Sequence, residues 1–286
     1  MRVLLVALVL ASTVPSLSSA TGVGQQTFAE AVVPSFSDEF DGTSLDASRW
    51  DDWVWSFQGR RAGFLFARDN VAVSNGCLNL TARLLRDDEK TPENLRRGFD
   101  TYATAYVRAK EKTFYGYYEC RAKGMKAAVC NAFWLYDPLS DRAEKKFRLG
   151  ETTEEIDIFE FFGKNGTVTQ DVNRVYFTTV HRLKTPYLEG IVHGGVETLP
   201  NRTKSTKVGF DFWADFHTYG FEWTPTTLTW YVDGQEVFSR ENDHFHRPMH
   251  VTFDCEIMYK WAGEPDKADL PSVYSVDYFR YWKAQD

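Results

Sequence analysis

Hydrophobic positions along the chain recur in short runs with a period of two, and helical periodicity is weak throughout. Runs at 70–73 and 77–82 flank Ser74-Asn75-Gly76, and runs at 227–232 and 235–239 flank Asp233-Gly234. Asn-Gly and Asp-Gly between two such runs are the strongest short-range signals for hairpins. Further strands are expected at 115–122, 131–136 and 174–181. Many short strands separated by turn chemistry predict an all-β sandwich or barrel. The charged stretch 84–99, with Pro92 and Gly98, reads as an exposed loop. Residues 139–153 read as a loop with room for a short helix, next to the strand that follows.

That strand, EEIDIFEFF at 154–162, places acids inside an apolar run. In a regular strand Glu155 and Asp157 share a face, and Glu160, five residues from Glu155, points to the other. One inserted residue corrects this, so a β-bulge at Ile158-Phe159 is expected to return Glu160 to the acidic face while Ile156 and Phe161 face the core. Three carboxyls on one face repel one another, and crowding with partial burial raises at least one pKa. Glycoside hydrolysis uses such a set: one carboxyl protonates the leaving oxygen and another attacks the anomeric carbon. Retaining enzymes hold the two about 5–5.5 Å apart, which neighbours on one strand reach more readily than the roughly 6.5–9.5 Å of inverting enzymes. The plainer readings are a divalent-cation site and an edge strand facing solvent.

Composition narrows the setting. Residues 1–20 carry a basic start at Arg2, an apolar stretch at 3–11 and small residues at 18–20, the pattern of a removable secretory leader. Residues 21–286 then form a single catalytic domain, expected to be secreted, monomeric and without a membrane span. A net charge of −7 disfavours nucleic acid. Aromatic content of 16% suits both a β-rich core and a site that stacks on sugars. Cys77, Cys120, Cys130 and Cys255 allow three two-disulfide pairings. Cys120–Cys130 is favoured if their strands are neighbours, and four buried thiols are the alternative. Asn79, Asn165 and Asn201 begin glycosylation sequons.

The chain resembles glycoside hydrolase family 16. The family signature Glu-x-Asp-x-x-Glu stands at Glu155, Asp157 and Glu160, and SDEFDGTSLDASRW (37–50), YGYYECRAKG (115–124), NAFWLYD (131–137), DFHTYGFEWTPTTLTWYVDGQEV (215–237) and SVDYFRYW (275–282) resemble its other strands. The resemblance implies a β-jelly-roll sandwich of two curved antiparallel sheets with a concave substrate cleft. It implies Glu155 as nucleophile, Glu160 as acid/base and Asp157 as the residue tuning their proton sharing. Trp134 and His181 match cleft positions. Trp53, Trp55, Arg60 and Arg61 are candidates for one end of the cleft, and Glu256 for a sugar hydroxyl, whereas Trp223 and Trp230 read as core. Asp277 and Glu39 match the region of a structural calcium site in many members, with a salt bridge as the alternative; catalysis needs no metal.

The resemblance also bears on the polymer. Laminarinase-like members usually carry Gly before the first catalytic Glu, where this chain has Glu154. WSFQGRRAGFLFARDNVAV (55–73), KEKTFYGYYECRAKG (110–124), HRLKTPYLEG (181–190) and ENDHFHRPMHVTFDCE (241–256) look more like the agarase–porphyranase branch. The first expectation is therefore endo-cleavage of β-1,4 bonds in an agar-type galactan, then a β-1,3-glucan such as laminarin, then carrageenan. A non-catalytic glucan-recognition protein is the reading from a different class, and retention of both glutamates opposes it.

Overall fold

The computed structural model describes residues 34–53, 63–137, 152–167, 171–184, 187–188, 191–192, 195–196, 199 and 202–284. Two large sheets pack face to face. One runs in the order Gln235–Glu241, Thr227–Val232, His217–Trp223, Gly116–Lys123, Ser272–Lys283, Cys77–Leu84, Tyr102–Thr104 and Phe64–Phe66. Its pairings are antiparallel except the last, where Phe64–Phe66 runs parallel to Tyr102–Thr104. The second sheet runs Gly195–Val196, Val175–Lys184, Thr152–Phe162, Cys130–Tyr136, Met249–Glu256, Tyr106–Thr113 and Trp50–Asp51, antiparallel throughout, with Thr203–Lys207 also pairing Val175–Lys184. This is the expected all-β jelly-roll sandwich. No helix among the described residues is long and apolar enough to cross a membrane.

Both predicted hairpins form. Asn75 and Gly76 have φ of 55° and 68°, and Asp233 and Gly234 have φ of 48° and 73°. Two consecutive positive φ values define the primed turn whose twist matches the flanking strands. The Asp233 carboxylate secures its turn by accepting from the Thr218 amide and bonding His217.

Aromatic side chains from both sheets fill the space between them. Phe133 stacks on Phe253 at 4.8 Å, and Phe279 from the opposite sheet meets both edge-on. Phe159 contacts Tyr219 across the sandwich at 4.5 Å, and Phe161 stacks on Phe212 at 4.1 Å. Trp223 and Trp230 are fully buried, as expected.

Two expectations are corrected. All four cysteines are free thiols. Cys120 and Cys130 lie on strands that follow one another in the chain but belong to opposite sheets, so the favoured pairing has no shared ladder to bring it together. A domain of this size buries enough apolar surface to fold without disulfides. Nor is the stretch 84–99 wholly a loop. It holds a 3-10 turn at Asp87–Glu89 and a short helix at Pro92–Arg96, in which Thr91 accepts from the Asn94 amide and Pro92 stands at the first turn. Most of the stretch 139–153 lies outside the described residues; Thr152 and Thr153 already belong to the strand.

Two sequons are committed to structure. The Asn79 amide donates to Ser74 and Cys77 and its oxygen accepts from Ser275. The Asn165 oxygen accepts from the amides of Val172 and Asn173. Asn201 lies outside the described residues.

Candidate active site

The strand Thr152–Phe162 is bulged where its sequence demands. Against Cys130–Tyr136, Asp157 pairs Trp134 and Phe159 pairs Phe133, so Ile158 has no opposite number. On the other side Glu155, Asp157 and Glu160 oppose His181, Thr179 and Phe177. Those partners are spaced by two, so the three acids share one face. The extra residue also places Ile156, Ile158, Phe159 and Phe161 all in the core. The apolar residues thus hold the bulge by burial, and the acids are carried on its back.

A bulge breaks ladder hydrogen bonds, and two side chains from the core replace them. The Trp230 indole donates to the Asp157 carbonyl at 3.2 Å, and the Tyr176 hydroxyl donates to the Ile158 carbonyl at 2.7 Å. Removing either donor leaves a buried carbonyl unsatisfied, which costs about 1–3 kcal/mol. Trp230→Phe is therefore expected to lower thermal stability and also turnover, because the carbonyl it holds belongs to Asp157. Trp223→Phe, whose indole donates to the distant Phe245 carbonyl, should cost stability alone. Thermal melts beside turnover measurements check the difference.

Glu155 and Asp157 are buried, while Glu160 is partly exposed. Glu155, Glu160, Thr179 and His181 lie on the floor of a groove of about 950 Å³. Beside it a small pocket of about 20 Å³ is lined by Asp157, Glu160, Trp134, Asp254, Glu256 and Cys130, among others. His181 Nε2 stands 3.3 Å from Asp157 and 3.7 Å from Glu155. Burial lowers the affinity of this imidazole for a proton. The Asp157 hydrogen bond and the charges of Asp157 and Glu155 outweigh it, so its pKa lies above the ordinary histidine value. The Cys130 thiol donates to Glu160 at 3.8 Å.

Glu154 points the opposite way. Burial raises its pKa, and Arg247, 3.8 Å distant, counters that effect. It takes no part in the acidic face.

The other expected residues divide. Glu256 is brought to the site, on a strand whose alternation places His250, Thr252, Asp254 and Glu256 on the acidic face. Trp134 also lies there, but only 3% of it is exposed, and its indole donates to Asp254 at 3.1 Å. It forms a wall beneath the acids and not an open stacking platform. Trp53 is half-buried under the Arg68 guanidinium, 5.4 Å from the ring centroid, and is not among the groove-lining residues. Trp55, Arg60 and Arg61 lie outside the described residues.

Asp277 pairs with Arg121 at 2.7 Å and Glu39 with Arg280 at 2.8 Å. The salt-bridge alternative describes both side chains. The donor atoms of Glu155, Asp157 and His181 lie within 4.8 Å of one another, close enough to share a cation. Arg202 already faces the imidazole, and its fixed positive charge opposes one there.

Sequence reasoning missed several groove residues. Arg202 reaches the site because its carbonyl accepts from the Val180 amide, next to His181, across a register that no spacing rule reveals. Tyr259, Lys260, Trp261 and Glu264 come from the segment that follows Glu256. Trp261 packs edge-on against Phe162 and Phe177. Gly63, at φ 92°, lies so close to the Tyr259 hydroxyl that a Cβ would collide with it. Asp254 was within reach of the alternation in HVTFDCE.

Chemically, the face offers one partly exposed carboxyl beside a thiol, the buried carboxyls of Glu155, Asp157, Asp254 and Glu256, and an imidazole bridging the first two. That suffices for proton donation and for a nucleophile at separate points.

The chain is similar to known proteins to different degrees. β-Porphyranase B of Zobellia galactanivorans is 27% identical over 89% of this chain and 85% of its own length. The κ-carrageenase of Pseudoalteromonas carrageenovora is 29% identical over 86% of this chain and 63% of its own length. The crystal structure of a β-porphyranase from the human gut bacterium Bacteroides plebeius superposes with a TM-score of 0.70, covering 87% of this chain and 89% of that one at 22% identity, and so shares the fold. Residues 31–284 match the family model of the glycoside hydrolase 16 domain of β-porphyranases A–D, and with that match over the bulged acidic strand the chain belongs to glycoside hydrolase family 16.

Proposed function

We propose that this protein is a retaining endo-β-glycosidase of an agar-type galactan, with Glu155 as nucleophile, Glu160 as acid/base and Asp157 between them. The observation that carries the reading is the bulge, which turns all three carboxyls to one face of the strand, with Glu155, Glu160 and His181 lining the groove and Asp157 in the small pocket beside it. In the first step Glu155 attacks the anomeric carbon while Glu160 protonates the departing oxygen. In the second, Glu160 takes a proton from water as it displaces Glu155. The exposure of Glu160 suits a group that must pass protons to leaving group and water. The buried Asp157, within reach of the His181 N–H, suits a group that holds charge without leaving its place.

The substrate choice leans on relatives named for porphyran and carrageenan and on the groove itself. Arg202 and Lys260 offer cations, and Tyr259 and Trp261 offer ring surface. A β-glucanase of Acetivibrio thermocellus, 31% identical over 77% of this chain, keeps β-glucan as the competing substrate. The reaction needs no cofactor in this reading, and the enzyme acts outside the cell as a monomer after loss of its leader.

A reducing-end assay on agarose, porphyran, κ-carrageenan and laminarin tests the proposal. Release from agarose or porphyran is expected. Release from laminarin alone would move the assignment to β-glucan, and binding without release from any of the four would point to a recognition protein.

A further inference from the structure

The imidazole between the acids has a second neighbour. Arg202 Nη2 lies 3.0 Å from His181 Nδ1. Guanidinium can only donate, so Nδ1 must present its lone pair and the ring's single proton must sit on Nε2. That N–H is the one directed at Asp157 and Glu155. Arg202 is unusual in its choice. It stands in a groove that also holds Glu155, Glu160, Asp100 and Glu264, yet it donates to an imidazole. Its Nε–H is buried without an acceptor among the described residues, so no carboxylate fixes that edge. Its backbone is anchored beside the histidine by the Val180 amide.

We propose that Arg202 is a positioning residue for this site: by donating to Nδ1 it fixes the Nε2–H tautomer of the neutral His181 ring and opposes a second proton, so that the Nε2–H is what faces Asp157 and Glu155. The inference rests on the retaining mechanism only for its consequence in turnover.

The charges around the ring are Asp157 and Glu155 from the neighbouring strand, Glu160 across the bulge, and Arg202 from the segment entering Thr203–Lys207. The first two draw a proton onto the ring, and Arg202 resists it. A second proton would turn an N–H against the guanidinium, lose the 3.0 Å contact and tie the two carboxylates into an ion pair. Glu155 would then attack less readily, since part of its charge would be neutralised before the sugar arrives.

The test compares wild type, Arg202→Met and Arg202→Lys by imidazole ¹⁵N spectra of the whole protein, followed from about pH 5 to 9 across the histidine range. His181→Gln assigns the signal. The wild-type ring is expected to be the Nε2–H tautomer when neutral. In Arg202→Met its titration midpoint should rise by about one unit, and the acid limb of kcat/KM should rise with it, a loss of about tenfold at a fixed pH on that limb. Arg202→Lys, which keeps charge and a donor, should recover most of the shift. A wild-type ring protonated on Nδ1 when neutral would overturn the proposal. So would an unshifted midpoint in a folded Arg202→Met protein, even with reduced activity, because that pattern describes a merely structural arginine. The spectra do not depend on turnover, so a wild type that cuts no polymer would defeat the hydrolase reading and leave the tautomer assignment to stand or fall by itself.

Discussion

Glu155→Gln is expected to abolish polymer cleavage while leaving the fold intact. The substitution keeps volume and hydrogen-bonding capacity in a buried position, 8% exposed, and removes the charge that attacks. Nucleophile removal in hydrolases costs about four to six orders of magnitude in kcat, so residual activity should fall below a reducing-end assay. Thermal melting should change little or rise, because Glu155 and Asp157 no longer repel each other beside one imidazole. With one carboxylate removed, His181 should also titrate lower, as Glu155 is among the charges that raise its pKa. The sign follows from the imidazole. Its raised folded-state pKa contributes stability at pH values below its unfolded value, and that contribution is lost as pH rises through the folded value. The wild-type advantage from this pair is therefore fullest below the ordinary histidine value and fades as pH rises through the raised one. Wild-type turnover in Glu155→Gln would remove Glu155 from the mechanism.

Glu160→Gln is expected to have the second largest effect, with a different signature. Loss of an acid/base group costs about 10²- to 10⁴-fold. The loss should be greatest with the natural polymer, whose leaving sugar needs a proton, and small in the first step with an aryl glycoside that departs unaided. The basic limb of the pH–rate profile should also flatten. In the wild type the bell-shaped profile belongs to the coupled set and not to single residues. Comparison of polymer and aryl-glycoside hydrolysis by the same variant checks this. Equal loss on both substrates would argue against Glu160 as the proton donor.

Much of this site was legible in nine residues. EEIDIFEFF breaks its own alternation between Asp157 and Glu160, and a one-residue insertion is the smallest repair; the pairing registers place it at Ile158. The hairpins were equally readable, because Asn-Gly and Asp-Gly supply the two positive φ values their turns require. What stayed hidden depended on which sheet a strand joins. Cys120 and Cys130 sit on successive strands, and only the topology separates them into opposite sheets. Of the donors that hold the bulge, Trp230 read simply as a core residue and Tyr176 carried no signal of its own, and the hydrogen bonds that give them their role cross 73 and 18 residues. Arg202 was invisible for the same reason. Its place beside His181 comes from a cross-strand pairing after a long connection, and no local pattern encodes it. Thr91-Pro92, by contrast, carried a helix-start signal in plain sight, and the charge around it drew the reading toward a loop.

The stereochemistry of the first-formed product tests the account most directly, because it follows from two carboxyls acting in turn on one anomeric carbon. Proton NMR during the earliest turnover of the polymer should show new reducing ends as the β-anomer, with the α-anomer appearing only later by mutarotation. Reducing ends that appear first as the α-anomer would mean single displacement by water and would contradict the roles given to Glu155 and Glu160.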